Sequence, residues 1–228
     1  AGDIFRQYGF DAKVEDTGVV HEERISSIVQ RETDMRFLKR LAARNGFECY
    51  IFDSKGYFGK PNLDIEPQPV LAVQFGAETT VNRFTLESNG LSPVTVKSQQ
   101  FEPFTKDLME VSARTGEQPL LGRDSFDQVI SPGNAPAKSM VLSRAPVTGT
   151  AEMTALCDGI TARSEWFIKG EGEIAANIYG HVLMPHAPVM IKGIGEMYSG
   201  VYYVTDVTHR FTKSGYCQEF RVQRNGTG

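Results

Sequence analysis

Four histidines, His21, His181, His186 and His209, are the natural starting point for metal binding or general-base chemistry in this sequence. His181 and His186 stand five apart across Pro185, a spacing that does not put two ligands on one helix face as HExxH does. His209 follows the run Tyr203-Val204-Thr205-Asp206-Val207-Thr208, so a strand-end histidine bonded to backbone is expected. Asp206, three residues before it, would point to the opposite face of a flat strand and could not orient it. Glu171 and Glu173 share a strand face, but paired-carboxylate hydrolysis needs two groups roughly 5–10 Å apart across a cleft. The sequence contains no GxSxG, and Cys49, Cys157 and Cys217 have no electropositive neighbours in sequence. Gly193-Ile194-Gly195 is too short for a dinucleotide fingerprint and lies between strand-like runs, so its glycines are expected to serve tight turns. Trp166 beside Phe167 could be a sugar-stacking platform, but its apolar neighbours favour a packing anchor. No catalytic residue, cofactor or metal site is predicted, and the chain is not expected to be an enzyme.

The elements that would hold these residues are mixed. Residues 3–9 place Ile4, Phe5 and Tyr8 on one helical face before Gly9. Glu15 to Arg24 is polar and reads as a loop. A helix from Thr33 to Asn45 carries an apolar stripe of Phe37, Leu38, Leu41 and Ala42, with Thr33 as cap and Gly46 as stop. Its outward face carries Arg36, Lys39, Arg40 and Arg44. That helix is expected to pack on a barrel.

Phe47 to Asp53 alternates with period two, and Ser54-Lys55-Gly56 turns it into Tyr57-Phe58 as a hairpin. Pro61, Pro67 and Pro69 mark an irregular connection, before strand candidates at Val70 to Phe75, Val81 to Leu86 and Val94 to Val96. Pro103 opens a predicted helix with Phe104, Leu108 and Val111 inward, stopping at Gly116. Glu117 to Thr148 reads as an exposed insertion with a strand near Ser139 to Ser143. A third helix, capped by Thr150, keeps Met153, Leu156, Cys157, Ile160 and Phe167 at helical spacing up to Gly170. Everything after Gly170 reads as strand and turn. Ile174, Ile178, Val189, Ile191, Val201, Tyr203, Val207 and Phe220 are expected inward or at a subunit contact.

The predicted fold is α+β, mainly antiparallel β, a small β-barrel with helical additions. Its expected parts are a helical segment at 1–48, strands at 49–102, an insertion or linker with helices at 103–169, and barrel strands at 170–228.

Composition narrows the class. At 228 residues the chain can build a sizeable core. Net charge −4 argues against a nucleic-acid surface, which needs clustered Lys and Arg. No apolar run reaches the roughly 20 residues that span a bilayer. Three scattered cysteines fit a reduced compartment and small core side chains. The opening Ala1-Gly2-Asp3-Ile4-Phe5 reads as mid-helix, so more sequence upstream is expected.

Three stretches together resemble one family. Gln30 to Ala42 followed by Gly46-Phe47 is similar to a Q-x-x-(S/T)-D-x-x-F-L-x-x-L-A signature, and Tyr57-Phe58-Gly59-Lys60-Pro61 is like a short strand ending in Pro. The C-terminal run Ser199 to Phe211, then Gly215-Tyr216 and Gln218 to Asn225, completes the pattern. It resembles the phage late control gene D family, central hub proteins of contractile phage tails, related to the valine-glycine repeat spikes of type VI secretion. The resemblance covers most of the chain. It implies a structural baseplate hub: a homotrimer with two barrels per subunit, adapting a threefold spike to a sixfold tail tube. The partners implied are tail tube and baseplate or spike proteins. The location implied is the virion tail or injection-device baseplate, assembled in the bacterial cytoplasm. The family's first barrel precedes a helix like residues 3–9, so the second barrel with its helical additions is expected here. The other class left open is a carbohydrate-binding or cell-wall-degrading module of the same machinery, which would need a groove with facing aromatic or carboxylate groups.

Overall fold

A computed structural model describes residues 1–91, 94–102, 104–113, 116, 118–130, 139–143, 147–213 and 215–228. In chain order its first elements are α1 (Gly2–Gln7), β1 (Asp11–Val14), α2 (Asp34–Arg44), β2 (Glu48–Phe52), β3 (Lys55–Gly59) and β4 (Gln68–Ala72). Then come β5 (Val81–Ser88), β6 (Thr95–Phe101), β7 (Leu108–Ser112), β8 (Asp124–Ser125), α3 (Phe126–Ile130) and β9 (Ser139–Leu142). The remaining elements are α4 (Thr150–Ser164), β10 (Ile168–Ala175), α5 (Ala176–Tyr179), β11 (Ala187–Lys192), β12 (Gly200–Thr212), β13 (Gly215–Arg224) and β14 (Gly226–Thr227). The fold is α+β and mainly antiparallel β. The chain interleaves two compact units: Ala1–Pro61, Val94–Glu117 and Ala137–Ser164 form one, and Asn62–Pro93, Gln118–Pro136 and Glu165–Gly228 the other.

The first unit holds two small sheets, of order β1-β3-β2 and β7-β6-β9. α2 buries Leu38 and Ala42 with Phe5, Cys49 and Phe58, so the helix packs on the β1-β3-β2 sheet and not on a barrel. Phe37 stays half-exposed, with the Arg40 guanidinium 5.2 Å from its ring centroid. Tyr8, expected inward, is exposed, and its hydroxyl donates to Asp34 at 2.7 Å. The β2–β3 hairpin forms as predicted, but its turn residues are Asp53 and Ser54, at φ +47° and +59°. Gly56 lies inside β3, because a Cβ there would sit 2.3 Å from the Phe5 ring.

The helix expected from Pro103 to Gly116 is instead the strand β7, antiparallel to β6. Phe104, Leu108 and Val111 do have helical spacing, but Met109, Val111 and Ala113 alternate, and these three are the buried ones. Period two wins because β6 supplies a ladder partner and α4 covers the face through Met153 and Cys157. Pro103 itself lies outside the described residues.

The second unit is a six-stranded sheet of order β4-β11-β12-β13-β10-β5, curled into a half-barrel. All neighbours are antiparallel except β11 and β4. Leu71, Ile168, Ile174, Val189, Ile191, Tyr202, Val204, Phe220 and Val222 fill its interior. The two edge strands bend toward each other, since Thr80 N–H donates to Ala72 O and Ala72 N–H to Thr80 Oγ1, both at 2.9 Å. Pro69, expected in an irregular stretch, sits in edge strand β4, where a missing N–H is tolerated.

α4 ends at Ser164, not at Gly170. Gly170 and Gly172 belong to β10, where a Cβ would come within 2.6 Å of the Phe84 and Phe220 rings respectively. They are strand positions that admit aromatic rings, not helix stops. One short helix, α5, interrupts the strands after Gly170. It turns Tyr179 inward and leaves Ile178, expected inside, exposed. Val201 and Val207 are half-buried, while Ile174, Val189, Ile191, Tyr203 and Phe220 are buried.

Candidate functional site

The densest polar cluster is one that sequence reasoning missed. Glu152 lies in the first turn of α4, and its carboxylate folds back to accept from Thr148 N–H at 2.7 Å and Thr148 Oγ1 at 2.9 Å. This satisfies donors at the helix start, much as a capping box does, with the partner one residue further out. Arg44 Nη2 donates to Oε1 at 2.6 Å, and His21 Nδ1 lies 3.1 and 3.2 Å from the two oxygens. His21 Nε2 lies 2.6 Å from Ser26 O, and Thr148 Oγ1 accepts from Glu22 N–H. Burial pushes the Glu152 pKa up, but the Thr148 bonds, His21 and Arg44 together outweigh it and hold the carboxyl below its usual range. Arg44 therefore leaves the solvated basic face expected for it and becomes a half-buried ion-pair partner.

A concavity of about 470 Å³ opens beside this cluster, lined in part by Glu15, Asp16, His21, Arg44 and Glu152. Both Glu152 oxygens are already engaged, so the arrangement fastens the 15–30 loop to α2 and α4 and does not aim a base at a ligand. Thr148-Gly149-Thr150-Ala151-Glu152 was the available signal, hidden because the spacing exceeds the usual box by one.

The other histidines stay apart. His186 N–H donates to Val204 O from a φ of +60°, and His181 follows α5 with its ring edge-on to Tyr179. His209 is inside β12, and its Nδ1 lies 2.7 Å from the Tyr216 hydroxyl, so the expected backbone partner is replaced by a cross-strand side chain. Asp206 pairs with Arg221 and His209 with Gln218, three positions apart and hence on opposite faces. Among the described residues no group of three His, Cys, Asp or Glu could hold a metal ion.

Glu171 and Glu173 do share the outer face of β10. Glu171 stands between Thr85 and Arg221, and Glu173 between Arg83 and Glu219. Each glutamate has one arginine beside it, Arg221 for Glu171 and Arg83 for Glu173, while Glu219 stands on the other side of Glu173, so this is a solvated sheet face and not a pair facing over a cleft. Trp166 is buried and stacked on Tyr203 with centroids 6.0 Å apart, a packing anchor. Gly193 and Gly195 both have φ +86° in the β11–β12 turn, and a Cβ on Gly193 would strike the Val73 carbonyl. Cys49 and Cys157 are buried and burial raises both pKa values, whereas Cys217 is half-buried.

A second missed feature is Arg224, fully buried in β13. Its guanidinium donates to four carbonyls: Leu121 at 3.1 Å, Tyr198 at 3.2 Å, Ser199 at 3.3 Å and Gly228 at 3.1 Å. It also lies over the Tyr202 ring. Only a residue with five fork-arranged donors can gather that many acceptors. No helix among the described residues is long and apolar enough to cross a membrane. What the second unit does present is sheet edge: among the described residues β4 pairs with β11 alone, β5 with β10 alone, and β12 beyond Val204 with β13 alone.

Residues 1–213 match the family model described as the Alg8 N-terminal domain. No curated protein matches the sequence. Among solved structures, the fold is similar to the tail protein from Neisseria meningitidis MC58, with a TM-score of 0.64 and 11% identity over 98% of this chain and 64% of that one. It is also similar to the 43 kDa tail protein of prophage MuSo2 from Shewanella oneidensis, with a TM-score of 0.63 and 11% identity over 98% of this chain and 62% of that one. The chain thus spans less than two thirds of the length of these two proteins, and what it shares with them is the fold.

Proposed function

This chain belongs to the Alg8 N-terminal domain family, and we propose that it is a structural hub component of a contractile phage tail or related injection system. In this reading it sits in the tail or baseplate, assembles in the bacterial cytoplasm, and adapts a trimeric spike to a hexameric tail tube. The observation that carries the proposal is the likeness of fold to two tail proteins along 98% of the chain. The half-barrel adds support, because among the described residues its edge strands β4 and β5 are each laddered to one neighbouring strand, the kind of edge by which sheets of neighbouring subunits join. The engaged Glu152 carboxylate and the placement of Glu171 and Glu173 side by side on one outer sheet face favour a role carried by surfaces and not by turnover. The intact protein is then a homotrimer whose contacts each bury well over roughly 1,000 Å², with tube and spike or baseplate proteins as partners and no nucleic acid.

Light scattering of the full-length protein measures its mass, and a pull-down with the tube protein encoded beside it measures the contact. A trimer that retains the tube is expected. A monomer that ignores the tube and hydrolyses peptidoglycan would overturn the reading.

A further inference from the structure

We infer that the concavity between α5 and the β12–β13 turn, in the second unit, binds an uncharged oligosaccharide. Its volume is about 730 Å³, within the usual size of small-molecule sites. The inference does not rest on the hub reading; a ring-forming trimer that binds no saccharide would sink it alone.

The lining selects the ligand. Asn82, Glu173, Asn177, His181 and Tyr216 supply carboxamides, one carboxylate, an imidazole and an aromatic ring. No described lining residue is Lys or Arg, and Arg83, the cross-strand neighbour of Glu173, is not among the lining residues, so a phosphate or an anionic sugar would meet the Glu173 carboxylate with no cation in the lining itself. Planar amide and carboxylate groups can each hold adjacent hydroxyls, while a ring face accepts the apolar side of a pyranose.

Asn82, Glu173, His181 and Tyr216 each have a protein partner before any ligand arrives. The Tyr216 ring is stacked on Phe211 at 4.5 Å and 6°, and its hydroxyl lies 2.7 Å from His209 Nδ1. Asn82 Nδ2 donates to Glu173 Oε1 at 3.3 Å, leaving Asn82 Oδ1 and Glu173 Oε2 as acceptors. His181 is edge-on to Tyr179, whose hydroxyl is anchored on Pro69 O at 2.7 Å. Ordering lost on binding is correspondingly small. Phe211, exposed and next to Tyr216 on the hairpin, extends the aromatic surface beyond the concavity.

Saturation-transfer NMR with chitotetraose and with maltotetraose, each at millimolar concentration, tests the site on the whole chain. Saturable binding of at least one is expected, and which one distinguishes N-acetylated from plain hexose recognition. Tyr216→Ala should weaken it at least about tenfold, a loss of about 1.4 kcal/mol. Asn177→Ala, on the exposed side of α5, gives the same test should Tyr216→Ala fail to fold, and Lys169→Ala outside the concavity should change nothing. Cys217 lines the same concavity while Cys49 and Cys157 are buried, so bound saccharide should slow iodoacetamide alkylation of Cys217. No saturable binding of either saccharide, or binding unchanged in both folded variants, would overturn the inference. Protection of Cys217 by a protein partner alone would assign the concavity to a protein contact instead.

Discussion

Gly159 of α4 packs its bare Cα against Gly46, the residue that closes α2: a Cβ on Gly159 would stand 2.5 Å from the Gly46 nitrogen. Gly46 holds a φ of +67° there, and Arg163 one turn further along α4 donates to Ala43 O. The neighbouring atoms are backbone and cannot rotate away. Gly159→Ala normally stabilises a helix interior by about 0.5–1 kcal/mol; here it should cost about 1–3 kcal/mol through overpacking. Urea denaturation of the variant decides the sign, and a stabilised variant would refute the close approach.

The α2 stripe divides unequally. Leu38 is fully buried with Phe5 and Phe58, while Leu41 is only partly covered. Leu38→Ala should cost about 2–5 kcal/mol, and Leu41→Ala only about 1 kcal/mol. Equal losses in denaturant midpoints would contradict the burial pattern.

Glu152 gives the first unit an acid-sensitive fastening. Its folded pKa is lowered by the Thr148 bonds, His21 and Arg44 against the opposing effect of burial. The stabilisation is complete above the unfolded glutamate value of about 4.3 and is lost as pH falls through the lower folded value. Glu152→Gln should therefore be less stable than the parent at neutral pH, with the gap narrowing as pH falls below the unfolded glutamate value of about 4.3. A gap independent of pH, measured by urea midpoints, would remove the carboxylate from this role.

Arg224 should tolerate no replacement. Arg224→Lys loses the fork and Arg224→Met every donor; the Leu121 and Ser199 carbonyls lose the guanidinium, while Tyr198 O keeps the Tyr202 hydroxyl and Gly228 O keeps Arg123 N–H. A polar group left unpaired away from water costs about 1–3 kcal/mol, so with two such carbonyls a loss of at least about 2 kcal/mol is expected for either variant. Hydrogen exchange at Gly228 N–H, now bonded to Met197 O, should accelerate first. Unchanged exchange there would show that the arginine does not organise this end of the sheet.

Local pattern alone determined α1, α2, the β2–β3 hairpin and the strand character after Gly170, because periodicity reports which face of an element is covered. It also placed Trp166 as an anchor and Gly193 and Gly195 in a turn. Tertiary structure decided the rest. At 104–111 two periods coexist in the sequence, and only the presence of β6 makes β7 a strand. Glu152 and His21 are 131 residues apart, and Arg224 and Leu121 are 103 apart; no short-range spacing encodes such a pair. The groove between α5 and the β12–β13 turn likewise gathers Asn82, Glu173, Asn177 and Tyr216 from four elements. Buried polar groups must find partners wherever the chain returns, and that is settled by the path of the backbone, not by neighbours in sequence.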